Sequence, residues 1–372
     1  MKLKIAEIAD VHFGAMTTMT TQLFENLKNN FIGWLEKNAP DVNIIAICGD
    51  LFHLKLSMDS TEAKLAIHFI DLLQLKFPKA RILLIKGTRA HDLNQLDIFS
   101  SRIGNNFKIY NTVCDDYLGE DFRYLVIPEE YYPDKSVYDK YLKGNEKYDW
   151  CWFHGMFSFA GGYAVASQLG NKFKFNKICF NSSEFNDCVL GKVVGGHIHI
   201  PMTENKVQYA GSFERWRHGE EEPKGFRYHE YDTVSKQVLV DQFIENKDAL
   251  VYRTISYKDL PIDDLEKLVA ELDKRRADCY SLRVKIGKTE EITDTQSENL
   301  VAACIQFNNV VLLKESKSVK TKNTEEDQKI ADERKKRIKE YEGLTFNEIT
   351  IKYAREVLNR TITEKQIQSV LE

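Results

Sequence analysis

The chain has 372 residues, 43% hydrophobic and 29% charged, with a formal net charge of −4, enough to bury a sizeable core in two or three domains. No apolar run approaches about 18 residues, and Met1-Lys2-Leu3-Lys4 leads straight into a strand, which excludes a membrane span and argues against a signal peptide. The seven cysteines include no CxxC pair and read as reduced core thiols of a cytoplasmic protein; the mild acidity argues against a generally sticky nucleic-acid binder but leaves room for a local basic groove.

In chain order, Leu3 to Ile8 reads as a strand and Thr21 to Lys37 as a helix with Phe24, Leu27, Phe31, Trp34 and Leu35 on one face. A strand Asn43 to Cys48, a helix from Ser60 to Leu75 and a strand Arg81 to Ile85 complete a βαβαβ start, the pattern of a parallel, helix-covered sheet. From Phe107 short strands follow: Phe107 to Val113, Tyr124 to Ile127, Trp150 to Phe153, Val193 to Gly196, Val207 to Gly211, Gly225 to Tyr231 and Gln237 to Ile244. A second sheet packed on the first would make a four-layered α/β/β/α sandwich over 1–247.

Residues 248–313 read as a small α+β module: Val251 to Tyr257, a helix Ile262 to Arg275, the alternating strand Tyr280 to Ile286, a helix Ser297 to Phe307 and a strand Val310 to Leu313. The stretch 314–342 is a charged linker too polar to fold alone. Over 343–372, Thr345-Phe346-Asn347-Glu348 and Thr361-Ile362-Thr363-Glu364 are capping boxes for two short helices, which need something to dock on, a partner or their own chain.

The chemistry gathers where apolar runs end. Leu3 to Ile8 leads into Asp10-Val11-His12, Asn43 to Cys48 into Gly49-Asp50-Leu51-Phe52-His53, and Arg81 to Ile85 into Gly87-Thr88-Arg89-Ala90-His91-Asp92. Trp150 to Phe153 leads into His154-Gly155, and Lys192 to Val194 into Gly195-Gly196-His197-Ile198-His199. Carboxyl ends of strands are where α/β sheets place their sites. Asp50 is the natural bridge between two cations, and Asp10 with His12, on an extended segment, would point the same way to reach one of them; His197 and His199 would do likewise. Carboxylates mixed with imidazoles favour manganese, iron or zinc over magnesium or calcium. His68 and His229 read as structural.

These motifs resemble the calcineurin-like metallophosphoesterases, and within them the SbcD and MRE-eleven-type DNA-repair nuclease subunits of phage, bacterial, archaeal and eukaryotic origin. The resemblance implies two divalent metal ions, with manganese favoured: Asp10, His12, Asp50 and His199 on one, Asp50, His154 and His197 on the other. It makes His91 the proton donor to the leaving oxygen and His53 an aid to phosphate handling. It implies a capping role for 248–313, docking of 343–372 on an SbcC-like SMC-type ATPase, a homodimer, and DNA as substrate, as double-stranded ends or single strands. Arg215, Arg217 and His218 are candidate DNA contacts, the alternative being a solvated turn.

The third motif departs from the family's Gly-Asn-His-Asp: it is two residues longer and lacks the asparagine that ligates the second metal. Thr88 or a water would take that place, and Arg89 could contact the phosphate. Two alternatives stand beside the nuclease: a phosphatase or phosphodiesterase of the same superfamily, and a weakly active or non-catalytic DNA-end scaffold with a degenerate second site.

Overall fold

The computed structural model describes residues 1–15, 19–92, 95–104, 106–130, 132, 134–160, 179–287 and 290–315. The chain divides into a large compact unit, 1–286 with 291–313, and a second comprising 287–290 and 314–372. Beyond its first two residues the linker expected over 314–342 lies outside the described residues, as do the helices expected over 343–372.

The strands of the sandwich are β1 (Lys2–Ile8), β2 (Ile44–Cys48), β3 (Arg81–Ile85), β4 (Phe107–Tyr110), β5 (Cys114–Leu118), β6 (Phe122–Ile127), β7 (Trp150–His154), β8 (Met156–Phe157), β9 (Cys179–Phe180), β10 (Val193–Gly196), β11 (Met202–Glu204), β12 (Val207–Tyr209), β13 (Gly225–Asp232) and β14 (Gln237–Glu245). They build two six-stranded sheets, ordered β14-β13-β1-β2-β3-β4 and β11-β12-β10-β7-β6-β5, with β8 and β9 paired apart. From β1 to β4 the pairing is parallel, and β13 runs antiparallel to β1.

The two-residue period of a strand explains the layering. Leu3 and Ile5 of β1, Ile44 and Ala46 of β2, and Leu83 and Ile85 of β3 face Tyr124, Trp150, Trp152 and Val194 of the other sheet in one core. Their neighbours Ala6, Ile8, Ile45, Ile47, Ile82 and Leu84 face Phe31, Leu35, Phe69 and Leu73 of the outer helices. On the far side, Leu125, Cys151, Phe153 and Val193 pack under Tyr138, Tyr141 and Phe185. The result is a mixed α/β fold of helices, sheet, sheet and helices. Because β2 is buried on both faces, its five residues Ile-Ile-Ala-Ile-Cys are all apolar.

On the inner face of β1, Glu7 is fully buried. It accepts from Trp150 Nε1 at 3.0 Å and Trp152 Nε1 at 3.3 Å, which ties the two sheets at their centre, and meets His229 Nδ1 of the adjacent strand β13 at 2.9 Å. His229 is structural, as its place in a strand suggests.

Two expectations are corrected. The strand expected over Phe107 to Val113 ends at Tyr110, and β5 follows it in the second sheet. Asp115 and Asp116 mask β5 in the sequence, since carboxylates are depleted in strands; here Arg123 binds the first, while Lys108 and Tyr110 bind the second. The helix expected as one continuous run from Thr21 to Lys37 is helical over Thr20–Asn26 and Gly33–Asn38 but π-helical over Leu27–Ile32 between them. Phe24, Leu27, Phe31 and Leu35 are buried throughout, and Trp34 swings onto Phe226 and Tyr228.

The small module has β15 (Tyr252–Ser256), β16 (Ser281–Ile286) and β17 (Val310–Lys314) in one sheet, covered by helices Leu265–Arg276 and Asp294–Cys304 around their own core. Asp264 and Thr293 cap the two helices, which fixes their starts at slightly different places from those the apolar stripes suggest.

Candidate metal centre

The side chains that could hold cations are delivered by strand ends, but not by strand alternation. Asp10, His12, Asp50 and His197 have φ of 50°, 55°, 50° and 98°, in the left-handed region. The expectation that Asp10 and His12 share an extended segment is therefore corrected: β1 has ended, and each residue is turned by a conformation that costs about 1–3 kcal/mol. Hydrogen bonds hold it. Asp10 N donates to Gly49 O at 3.1 Å and His12 N to Asp50 O at 2.9 Å, tying the β1 and β2 loops together. Asp92, fully buried, accepts from the amides of Asp50, Phe52 and Gly87 at 2.9, 3.1 and 2.8 Å, and so knits the second and third motifs.

Two donor sets result, with Asp50 between them. Asp10, His12 and His199 form one and Glu129, His154 and His197 the other; Asp10, Asp50 and His154 also converge, as do His12, His53 and His91. His12 Nε2 lies 3.0 Å from His199 Nε2, and His197 Nδ1 lies 3.0 Å from Glu129 Oε2. His197 and His199 thus serve different sets, which corrects the reading that both point the same way. Asp50 Oδ2 reaches toward both, at 3.9 Å from His12 Nε2 and 3.4 Å from His154 Nε2.

Outer partners orient the rings. His154 Nδ1 donates to Cys48 O at 2.8 Å, turning Nε2 toward Asp50 and Glu129. His199 Nδ1 meets Glu220 Oε1 at 3.0 Å. His91 Nδ1 donates to the carbonyl of His53, so its Nε2 faces the cleft, 4.0 Å from Asp50 Oδ2. Such partners fix the tautomer that a metal needs.

The electrostatics differ across the cluster: burial lowers His154, but Asp50, Asp10 and Glu129 outweigh it and raise it well above its ordinary value. Burial, helped by the imidazoles of His199, His91 and His53 and opposed by Asp50, holds His12 well below its ordinary value and so neutral. Burial pushes Asp50 up, but His154, His12 and His91 outweigh it and keep the carboxylate ionised. Burial likewise opposes ionisation of Glu220, yet His199 and Lys224 pull it down to about 2.

The close approach is possible only at glycine. A Cβ on Gly49, at φ +85°, would lie 2.1 Å from His154 Nδ1, and one on Gly87 would lie 2.2 Å from Asp50 N and Oδ1. The donors therefore fit divalent cations of the manganese, iron or zinc kind.

Two candidate functional residues escape the sequence motifs. Glu129 has no motif around it, yet it stands two residues beyond β6, as Asp10 and Asp50 stand two beyond β1 and β2. Glu220 sits in an acidic run that reads as a solvated turn but is buried beneath His199. Asp92 closes the third motif and carries the scaffold described above. Of the residues expected there, Thr88 places Oγ1 among the second set, and Arg89 is exposed beside it. Arg215 donates to the carbonyls of Leu250 and Glu222 at 3.2 and 2.9 Å, and His218 Nε2 meets Ser281 Oγ at 2.9 Å; both bind the small module, whereas Arg217 is exposed.

No family model and no curated protein matches the chain. Among solved structures it is similar to a predicted phosphoesterase from Streptococcus pneumoniae, at 13% identity over 62% of this chain and 84% of that one, with a TM-score of 0.25. It is also similar to GAP50, the anchor in the inner membrane complex of Plasmodium, at 10% identity over 66% and 89%, with a TM-score of 0.34. Likeness at this level carries no functional inference.

Proposed function

We propose that the chain is a two-cation phosphodiesterase acting on DNA, a nuclease subunit of the SbcD and MRE-eleven type. The observation that carries this reading is Asp50, one buried carboxylate reaching toward two histidine-rich donor sets. Asp10, His12, Asp50 and His199 would hold one cation and Asp50, His154 and His197 the other, and manganese suits donors of this mixture. Bound there, the pair would polarise a phosphoryl group and acidify a water.

The chain's own residues supply the rest. His91, its Nδ1 engaged by the His53 carbonyl, presents Nε2 toward Asp50 and is placed to give a proton to the departing oxygen. His53 stacks on that ring, with centroids 5.0 Å apart, and restricts it. Arg89 and Arg217, both exposed, are proposed to position DNA through its phosphates. The small module at 248–313 would limit which DNA ends enter, because Glu214, Arg215 and His218 fasten it to the segment leading to Glu220. A homodimer, a cytoplasmic setting and docking of 343–372 on an SbcC-like ATPase complete the proposal.

The test compares linear duplex DNA, single strands and p-nitrophenyl phosphate as substrates with manganese present. Faster cleavage of DNA, suppressed by chelation, is the expected result; hydrolysis confined to the small monoester would replace the nuclease with a phosphatase.

A further inference from the structure

We propose that Glu129 is a ligand of the second cation, standing in for the side-chain amide that the third motif lacks. The inference rests on the two-cation reading above and concerns how this chain completes its second site.

Glu129 is 8% exposed. Its Oε2 lies 3.0 Å from His197 Nδ1, 3.1 Å from Thr88 Oγ1 and 3.6 Å from His154 Nε2. Asp50 Oδ2 closes the ring, 3.2 Å from Thr88 Oγ1 and 3.4 Å from His154 Nε2. These separations suit donors on one small cation: ligand atoms at about 2.1 Å and right angles lie about 3.0 Å apart. A plain Glu129–His197 ion pair would need one contact. It would leave out His154, whose ring, with Nδ1 bonded to Cys48 O, turns Nε2 to within 3.6 Å of the same carboxylate oxygen.

Position supports the same conclusion. Thr88 occupies the segment where the amide belongs and places Oγ1 within the set, 3.5 Å from both His154 Nε2 and His197 Nδ1, but it brings only a neutral hydroxyl. Glu129 enters from the neighbouring sheet, across from Thr88, and supplies a charged oxygen instead. Its backbone is anchored to that loop, since Glu129 N donates to Lys86 O at 3.2 Å. The second site then has two carboxylates and two imidazoles, one negative charge more than an amide would give. That makes it a binding site in its own right, where loss of the asparagine would otherwise leave a gap.

The test counts manganese bound to the full chain by equilibrium dialysis and reads the spin-coupled signal of a manganese pair by electron paramagnetic resonance. Wild type should bind two ions with the coupled signal; Glu129→Ala should bind one and lose it. Glu129→Gln, which keeps the shape and restores an amide, should bind the second ion about 10- to 100-fold more weakly, the scale on which metal sites answer to lost partners. It also decides the matter if the alanine variant fails to fold. Two ions at wild-type affinity in either variant would overturn the proposal. A wild type that binds one ion or none would overturn the two-cation reading itself.

Discussion

Nδ1 of His199 lies 3.0 Å from Glu220 Oε1 while Nε2 of the same ring lies 3.0 Å from His12 Nε2. Glu220 also accepts from Trp216 N at 3.2 Å and pairs with buried Lys224 at 3.3 Å, so one carboxylate aims a ligand and anchors the segment that leads to the small module. Glu220→Ala is expected to weaken manganese binding at the first site about 10- to 100-fold. Glu220→Gln, whose amide oxygen still accepts from His199, should weaken it less. Calorimetric titration of manganese into each variant checks the order.

His91 is placed to act on the leaving oxygen rather than to hold a cation. His91→Ala should lower the rate of DNA cleavage by about 100- to 10,000-fold, while the number of bound ions stays that of wild type. Single-turnover cleavage beside a metal count separates the two effects; loss of a bound ion would make His91 a ligand instead.

Asp92 answers three buried amides with one carboxylate. Asparagine presents only one oxygen, leaving an N–H facing an N–H, so Asp92→Asn should cost about 2–3 kcal/mol in urea unfolding. Because the amides belong to the Asp50 and Gly87 turns, cleavage should fall with it.

The Glu7–His229 pair gives stability a pH dependence. Burial depresses the His229 imidazole, but Glu7 and Asp241 outweigh it and raise it above its ordinary 6.5. A raised value stabilises fully below 6.5, and the contribution is lost as pH climbs through the folded value, where the unfolded chain has already given up its proton. Wild type should therefore lose up to about 1.4 kcal/mol per pH unit in that window. His229→Gln should be less stable at pH 6 and lack that slope; urea unfolding from pH 6 to 9 reads both.

Much of this was legible in the residues. The apolar runs placed β2 and β3 nearly to the residue, and the strand-end histidines and aspartates meet where their positions imply. What the pattern missed has physical causes. Left-handed turns at Asp10 and His197 leave no periodic trace, so alternation wrongly turned His197 and His199 the same way, while Asp10 and His12 do meet in one set, though not on an extended segment. Asp115 and Asp116 hid an edge strand because carboxylates are depleted in strands, and only the folded structure shows Lys108, Tyr110 and Arg123 of β4 and β6 pairing with them. Glu129 is different: Ile127-Pro128-Glu129 repeats the two-residue step from strand end to carboxylate seen at Ile8-Ala9-Asp10 and Cys48-Gly49-Asp50. Glu220 offered no such signal, since only tertiary structure puts it under His199.

The most direct test of the account is manganese-dependent cleavage of a linear DNA duplex by wild type and by Asp50→Asn, both confirmed folded by circular dichroism. The account predicts that wild type degrades the duplex, that chelation stops it, and that Asp50→Asn, deprived of the shared carboxylate, falls by at least about 1,000-fold. A folded wild type inert at saturating manganese, or an Asp50→Asn variant as active as wild type, would contradict it.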